Sequence, residues 1–114
     1  MRIHHIALRT RDLGRLAAFY GDLLGLATSK ESPGHSVWLD AGGTILMLER
    51  SSESEPEIGR GTQELIAFSV AATERPAFEA RLASSGVTVE ARTEHTLYFR
   101  DPDGRRVGLS HYPL

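Results

Sequence analysis

One order of elements can be read twice along this chain, and that repetition limits the folds open to it. Residues 3–9 alternate like a half-buried strand, with Ile6 and Leu8 on one face and His5, Ala7 and Arg9 on the other. Asp12 suits a helix N-cap, and Leu13, Leu16, Ala17, Tyr20, Leu23 and Leu24 then recur at helical spacing until Gly25 offers a left-handed stop. Three short strands are expected next, over 26–29, 35–40 and 44–49, with Ala41-Gly42-Gly43 as the hairpin turn between the last two. The first half therefore reads β-α-β-β-β.

Residues 50–61 are rich in Ser, Glu, Pro and Gly and read as a solvated connection, with Glu53, Glu55 and Glu57 as an acidic solvent-facing stretch. The order then returns. A strand over 63–70 is followed by a helix that Thr73 can cap, with Pro76 in its first turn and Phe78, Leu82 and Ala83 as its buried stripe. Strands over 87–91, 96–100 and 105–111 complete the set, and Asp101-Pro102-Asp103-Gly104 is a tight turn between the last two. The expectation is an α+β chain, residues 1–114 forming one domain of two βαβββ modules, with halves 1–50 and 62–114 joined by 51–61. Helices bury against one face of each mixed sheet, and the concave faces are left to form a cup.

Composition removes several function classes. With no cysteine among 114 residues, disulfides, thiol nucleophiles and zinc–thiolate or iron–sulfur sites are excluded. The 13 basic residues, 12 arginines and Lys30, are scattered and balanced by 15 acidic ones, so no nucleic-acid partner is expected. No apolar run approaches the roughly 20 residues of a membrane helix, and Met1 to His5 lead into the first strand without a signal-like region. A cytoplasmic location without membrane partners is the expectation.

The string HIALRTRDLGRLAAFYGDLLGL, from His5 through Leu26, resembles the opening of the vicinal-oxygen-chelate superfamily of glyoxalases, dioxygenases, and fosfomycin and bleomycin resistance proteins. The matching elements are His5 before an apolar pair, Asp12-Leu13, Phe19-Tyr20 and Leu24-Gly25-Leu26. A second stretch, Tyr98-Phe99-Arg100-Asp101-Pro102-Asp103-Gly104, resembles the family's penultimate strand and turn. The resemblance covers essentially the whole chain. It implies paired βαβββ modules, a homodimer whose cups form within a chain or across two chains, and, in active members, one divalent metal that chelates a substrate through neighbouring oxygens.

Carried over position by position, that metal site is degenerate. His5 matches the first-strand ligand. The position on the last strand of the first half is Met47, a thioether unsuited to a hard divalent ion. The first strand of the second half presents Leu65, and the last strand presents Gly108 where a glutamate is usual. Glu64 has the opposite strand parity from Leu65, and Glu49 lies about 7 Å along the strand from Met47. No metal ligand beyond His5 is retained, and no cofactor is expected.

By alternation, His5, Ala7, Arg9, Trp38, Asp40, Ile45, Met47, Glu49, Leu65, Ala67, Thr96, Tyr98 and Arg100 line the cup. Of these, His5, Arg9, Trp38, Met47, Glu49, Leu65, Tyr98 and Arg100 are the candidate ligand-binding residues, with Trp38 and Tyr98 as stacking platforms. Arg9 and Arg100 pair either an anionic ligand group or the carboxylates of Asp40 and Glu49. No catalytic residue is assigned. The reading is a metal-free small-molecule-binding protein that sequesters an aromatic or drug-like ligand. The alternative is a metal-dependent lyase, isomerase or dioxygenase in which Glu49 or Glu64 replaces lost ligands. A metal-independent acid–base enzyme using His5, and a filled cup without function, are two further alternatives.

Overall fold

The computed structural model describes residues 1–114. The chain divides into two units, Met1–Glu57 and Ile58–Leu114, each a four-stranded mixed sheet with a helix. No helix is long and apolar enough to cross a membrane.

In the first unit the sheet order is β1-β4-β3-β2, built from β1 (His5–Thr10), β2 (Thr28–Ser32), β3 (Ser36–Asp40) and β4 (Ile45–Arg50). β1 runs parallel to β4, and the β2–β3 and β3–β4 pairs are antiparallel. Leu8, Val37, Leu39, Leu46 and Leu48 point to one face and are buried with Leu16, Phe19, Tyr20 and Leu24 of the helical segment. The other face carries the alternate residues in three rows: His5, Ile45 and Asp40; Ala7, Met47, Trp38 and Lys30; Arg9, Glu49 and Ser36.

The helical segment starts as α1 (Leu13–Ala17), where the Asp12 side chain accepts the Arg15 N–H at 3.0 Å. It continues as a π-helix over Ala18–Leu23. The wider turn carries through to the exit. Leu26 N–H reaches back to the Tyr20 carbonyl and Gly25 N–H to that of Gly21, one residue further than in an ordinary Schellman closure. Gly25 takes φ 86°, where a side chain would be strained.

Two expectations for this unit are corrected. The second strand is 28–32 rather than 26–29, because Leu26 is tied into the helix exit and the pairing passes to a polar edge segment. The acidic stretch is not simply solvated. Arg9 donates to both Glu55 oxygens at 2.9 and 2.8 Å, and Glu55 also accepts the Ser52 N–H at 2.7 Å. Arg11 bonds the carbonyls of Glu53 and Glu55 and pairs with Glu57. Residues up to Glu57 are thus clamped to the end of β1.

In the second unit the order is β5-β8-β7-β6, from β5 (Leu65–Ser69), β6 (Ala91–Arg92), β7 (Thr96–Arg100) and β8 (Arg106–Ser110). β5 is parallel to β8, and β8 is antiparallel to β7. Leu97, Phe99, Val107 and Leu109 are buried on one face with Leu82 of α2 (Arg75–Ser84). Thr73 does not cap this helix. A 3-10 turn over Ala72–Glu74 leads into it with no side-chain cap, and Ala83 is exposed. The expected strand over 87–91 shrinks to Ala91–Arg92, although Glu90 N–H still donates to the Tyr98 carbonyl at 2.8 Å.

The turn at 101–104 is set by one buried carboxylate. Asp101 accepts the N–H groups of Asp103 and Arg105 at 2.9 and 3.0 Å and pairs with the Arg105 guanidinium at 3.2 Å. Asp101→Ala should lower stability by about 2–4 kcal/mol in urea unfolding, since it strands two donors and a cation near the core. A loss below about 0.5 kcal/mol would show that the turn forms without it.

The clamp at Glu55 also makes a pH prediction. Hydrogen bonds from Arg9 and then from Ser52 hold its carboxyl down at about 2, against an ordinary 4.5. A carboxyl lowered on folding contributes stability above its unfolded value, and that contribution is lost as pH falls through its folded value. Urea midpoints should therefore fall between pH 4.5 and about 2. Glu55→Gln should flatten that slope and leave the profile above the window parallel to the parent's. An unchanged slope would mean that the clamp does not form in solution.

Candidate functional site

The helix-free face of each sheet carries the sequence-predicted residues, as strand alternation requires. On the first unit, Met47 lies directly between Ala7 and Trp38 in register, and the Lys30 ammonium sits 4.8 Å over the half-buried Trp38 ring. His5 is exposed in the next row, with its Nδ1 2.9 Å from that of His4 and the two rings edge to face. One of these nitrogens donates and the other accepts, so His5 keeps Nε2 for other partners.

Arg9 is already engaged by protein carboxylates. Besides its double bond to Glu55 it stands 3.6 Å from Glu49, and this surrounding raises its pKa, with Glu55 the largest cause. Arg9 thus pairs carboxylates, Glu49 among them as expected, although its main partner is the loop residue Glu55. Asp40 lies in the open-face row with His5 and Ile45, and its Oδ1 accepts the N–H groups of Gly42 and Gly43 at 3.0 and 3.1 Å in the hairpin.

On the second unit the rows are Leu65, Arg106 and Arg100; Ala67, Gly108, Tyr98 and Ala91; and Ser69, Ser110 and Thr96. Leu65 is 41% exposed. A Cβ built on Gly108 would stand 3.2 Å from Leu65 Cδ1, 3.3 Å from Ala67 Cβ and 3.5 Å from Thr96 Cγ2. Gly108 and Leu65 therefore share one surface, and hydrocarbon already occupies the space a side chain at 108 would enter. Arg100 donates Nε to Glu90 at 3.0 Å and Nη1 to the Thr62 carbonyl at 2.6 Å. Arg106 donates Nε to the other Glu90 oxygen at 3.0 Å and stacks 4.4 Å over Tyr98. The Glu90 carboxyl is held below its ordinary value, first by Arg100 and then, against the cost of burial, by Arg106.

Several of these residues escape the sequence reading. Arg106 and Ser110 share the parity of Gly108, so the alternation that placed Val107 toward the helix also places them. Lys30 needs the β2–β3 register, and Glu90 and Glu55 lie outside the paired strands, where no periodicity points. A ring cluster on the helix side was also missed. His95 packs edge-on against His111 and Tyr112, at 5.2 and 5.1 Å between centroids, and His111 Nδ1 is buried without a hydrogen bond. The first unit has a cleft of about 450 Å³, lined by Gly14, Ala17, Glu31 and Val37 among others, on the helix side rather than the open face.

The donor set does not suit a divalent ion. Of the four positions that the resemblance assigns to metal, the first unit supplies His5 and Met47, and the second supplies Leu65 and Gly108. Glu49 faces Arg9, and no group of three or more His, Cys, Asp or Glu side chains is gathered so as to hold a metal. Neither a single imidazole with a thioether in the first unit nor hydrocarbon in the second offers the oxygen and nitrogen donors such ions require.

Comparison with known proteins agrees with the fold. A lactoylglutathione lyase from Agrobacterium tumefaciens is 25% identical with a TM-score of 0.73, covering 96% of this chain and 92% of its own. A substituted form of the fosfomycin resistance protein FosX from Listeria monocytogenes, solved with Mn(II) and 1S,2S-dihydroxypropylphosphonic acid, is 21% identical with a TM-score of 0.81, covering 99% and 91%. FosX from Mesorhizobium loti is 17% identical with a TM-score of 0.82, covering 99% and 93%. No curated protein matches the chain in sequence. The family model described as Glyoxalase/Bleomycin resistance protein/Dioxygenase superfamily matches residues 2–109, and the chain belongs to that superfamily.

Proposed function

We propose that this protein is a metal-free binding member of its superfamily, which sequesters an aromatic or drug-like small molecule against the open faces of its sheets. The observation that carries the reading is a substitution of chemistry at matching places. In each half, an aromatic ring lies beside the position where the family places a metal ligand: Trp38 beside Met47, and Tyr98 beside Gly108. A cation covers each ring, Lys30 over Trp38 and Arg106 over Tyr98. Ring–cation pairs on an otherwise apolar face favour contact with a planar ligand over polarising an oxygen.

The protein works in the cytoplasm as a homodimer. Supporting the dimer, Ile3 and Leu65 are exposed at 60% and 41%, and apolar Ile66 and Phe68 on edge strand β5 are only half-buried. Such surface is costly to leave in water. Light scattering should report twice the chain mass.

A panel of fused-ring dyes should quench or shift the fluorescence of Trp38, the only tryptophan. Trp38→Ala and Tyr98→Ala should each weaken dye binding roughly tenfold without loss of fold. Retention of full affinity in both variants would remove the rings from the site.

The alternative is a metal-dependent lyase, isomerase or dioxygenase, and it is favoured by the Mn(II) in the Listeria relative. Elemental analysis of purified protein, followed by titration with nickel, zinc, manganese and ferrous iron, separates the two. Substoichiometric metal, unchanged by His5→Ala, is the expected outcome. One equivalent bound through His5 would overturn the metal-free reading.

A further inference from the structure

We propose that the open face of the second half is a receptor for an oxyanion, so that the small molecule bound there carries a carboxylate or a chemically equivalent group. This deepens the binding reading above and rests on it.

The starting point is a charge placement that folding alone does not favour. Arg100 and Arg106 are direct cross-strand partners on β7 and β8. Like charges directly opposite in a ladder repel, and they need a bridge. Glu90 is that bridge, taking Arg100 Nε on one oxygen and Arg106 Nε on the other, each at 3.0 Å. One carboxylate between two guanidiniums leaves this row with one positive charge in excess. The adjacent turn lends it no spare anion, since Asp101 and Asp103 both pair with Arg105 at 3.2 Å.

The two guanidiniums are not equivalent. Arg100 is the more engaged of the two, with Nε on Glu90 and Nη1 shared between the Thr62 and Gly104 carbonyls at 2.6 and 3.3 Å. Arg106 has only its Nε committed. Its Nη1 and Nη2 have no hydrogen-bond partner, while its plane is held 4.4 Å over Tyr98. A guanidinium fixed by one side-on bond and one stacking contact presents its end-on fork ready-made. That fork matches a carboxylate in a two-bond arrangement at little entropic cost. The Tyr98 hydroxyl, on the same face and also without a hydrogen bond, is a further donor. The first half lacks such a group, because Arg9 meets two carboxylates, Glu55 and Glu49.

Three isosteric probes test the assignment on the full chain: benzoate, benzamide and benzamidinium, followed by the ¹H–¹⁵N signals of the arginine side chains and of the backbone. Benzoate should bind about tenfold more tightly than benzamide. It should shift the Arg106 Nε–H signal, and it should weaken as salt is raised. Benzamidinium should bind worst. Arg106→Gln should bring benzoate down to the level of benzamide in the same variant. Arg106→Lys, which keeps the charge without the fork, should fall between the two. Equal binding of all three probes, or benzoate affinity unaltered in a folded Arg106→Gln, would overturn the oxyanion site while leaving the binding reading intact. No binding by any probe would overturn both.

Discussion

The parallel pairing of β1 with β4, repeated as β5 with β8, is the constraint on which the remaining structure depends. In a pleated strand the face a side chain occupies is fixed by parity, and pairing locks the parity of one strand to that of its neighbour. Once His5 stands opposite Ile45, and Leu65 opposite Arg106, every other residue on those strands is assigned. Leu46 and Leu48 must enter the core, so Met47 must leave it. Val107 and Leu109 must enter the core, so Gly108 must leave it. The open faces are in that sense the remainder of the hydrophobic pattern, and their chemistry is whatever the sequence places at the leftover positions.

This explains what was legible in the sequence. The β-α-β-β-β order and the faces of the central strands follow from apolar periodicity, which is strong at Ile6 and Leu8, Leu46 and Leu48, and Val107 and Leu109, whereas the ligand row is what the family resemblance implies. Legibility fails where burial does not set the pattern. Edge strand β2, Thr28–Ser32, is polar on both faces and reads as a loop until β3 gives it a partner. The second helix is ambiguous at its start because Thr73 has the chemistry of a cap, but the chain enters through a tighter turn. Glu55 and Glu90 could not be placed from sequence because ionic contacts over 46 and 16 positions leave no period to detect. The arginine faces were legible, but the sequence gives no means of knowing that Arg9 would find two carboxylates while Arg106 shares one.

The same asymmetry separates the halves chemically. The two modules repeat the aromatic beside the ligand row, yet they handle charge in opposite ways. In the first, a loop clamped by Arg9 and Arg11 brings carboxylates to the sheet end. In the second, a single Glu90 bridges two cations. Duplicated architecture thus supplies equivalent scaffolds, and a few side chains outside the strands determine the electrostatic sign of each face.

The crowding at Gly108 bears on how such a chain can change over generations. An acidic residue introduced there alone meets Leu65 and the Ala67 methyl before it meets any cation, because those groups already fill the space around its first carbon. The order of replacement therefore matters. A longer side chain at 108 needs Leu65 and Ala67 to give by a few tenths of an ångström, and a smaller or polar residue at 65 would ease that shift. A single step to a longer side chain at 108 is thus opposed by packing, and a change on the neighbouring strand relieves it.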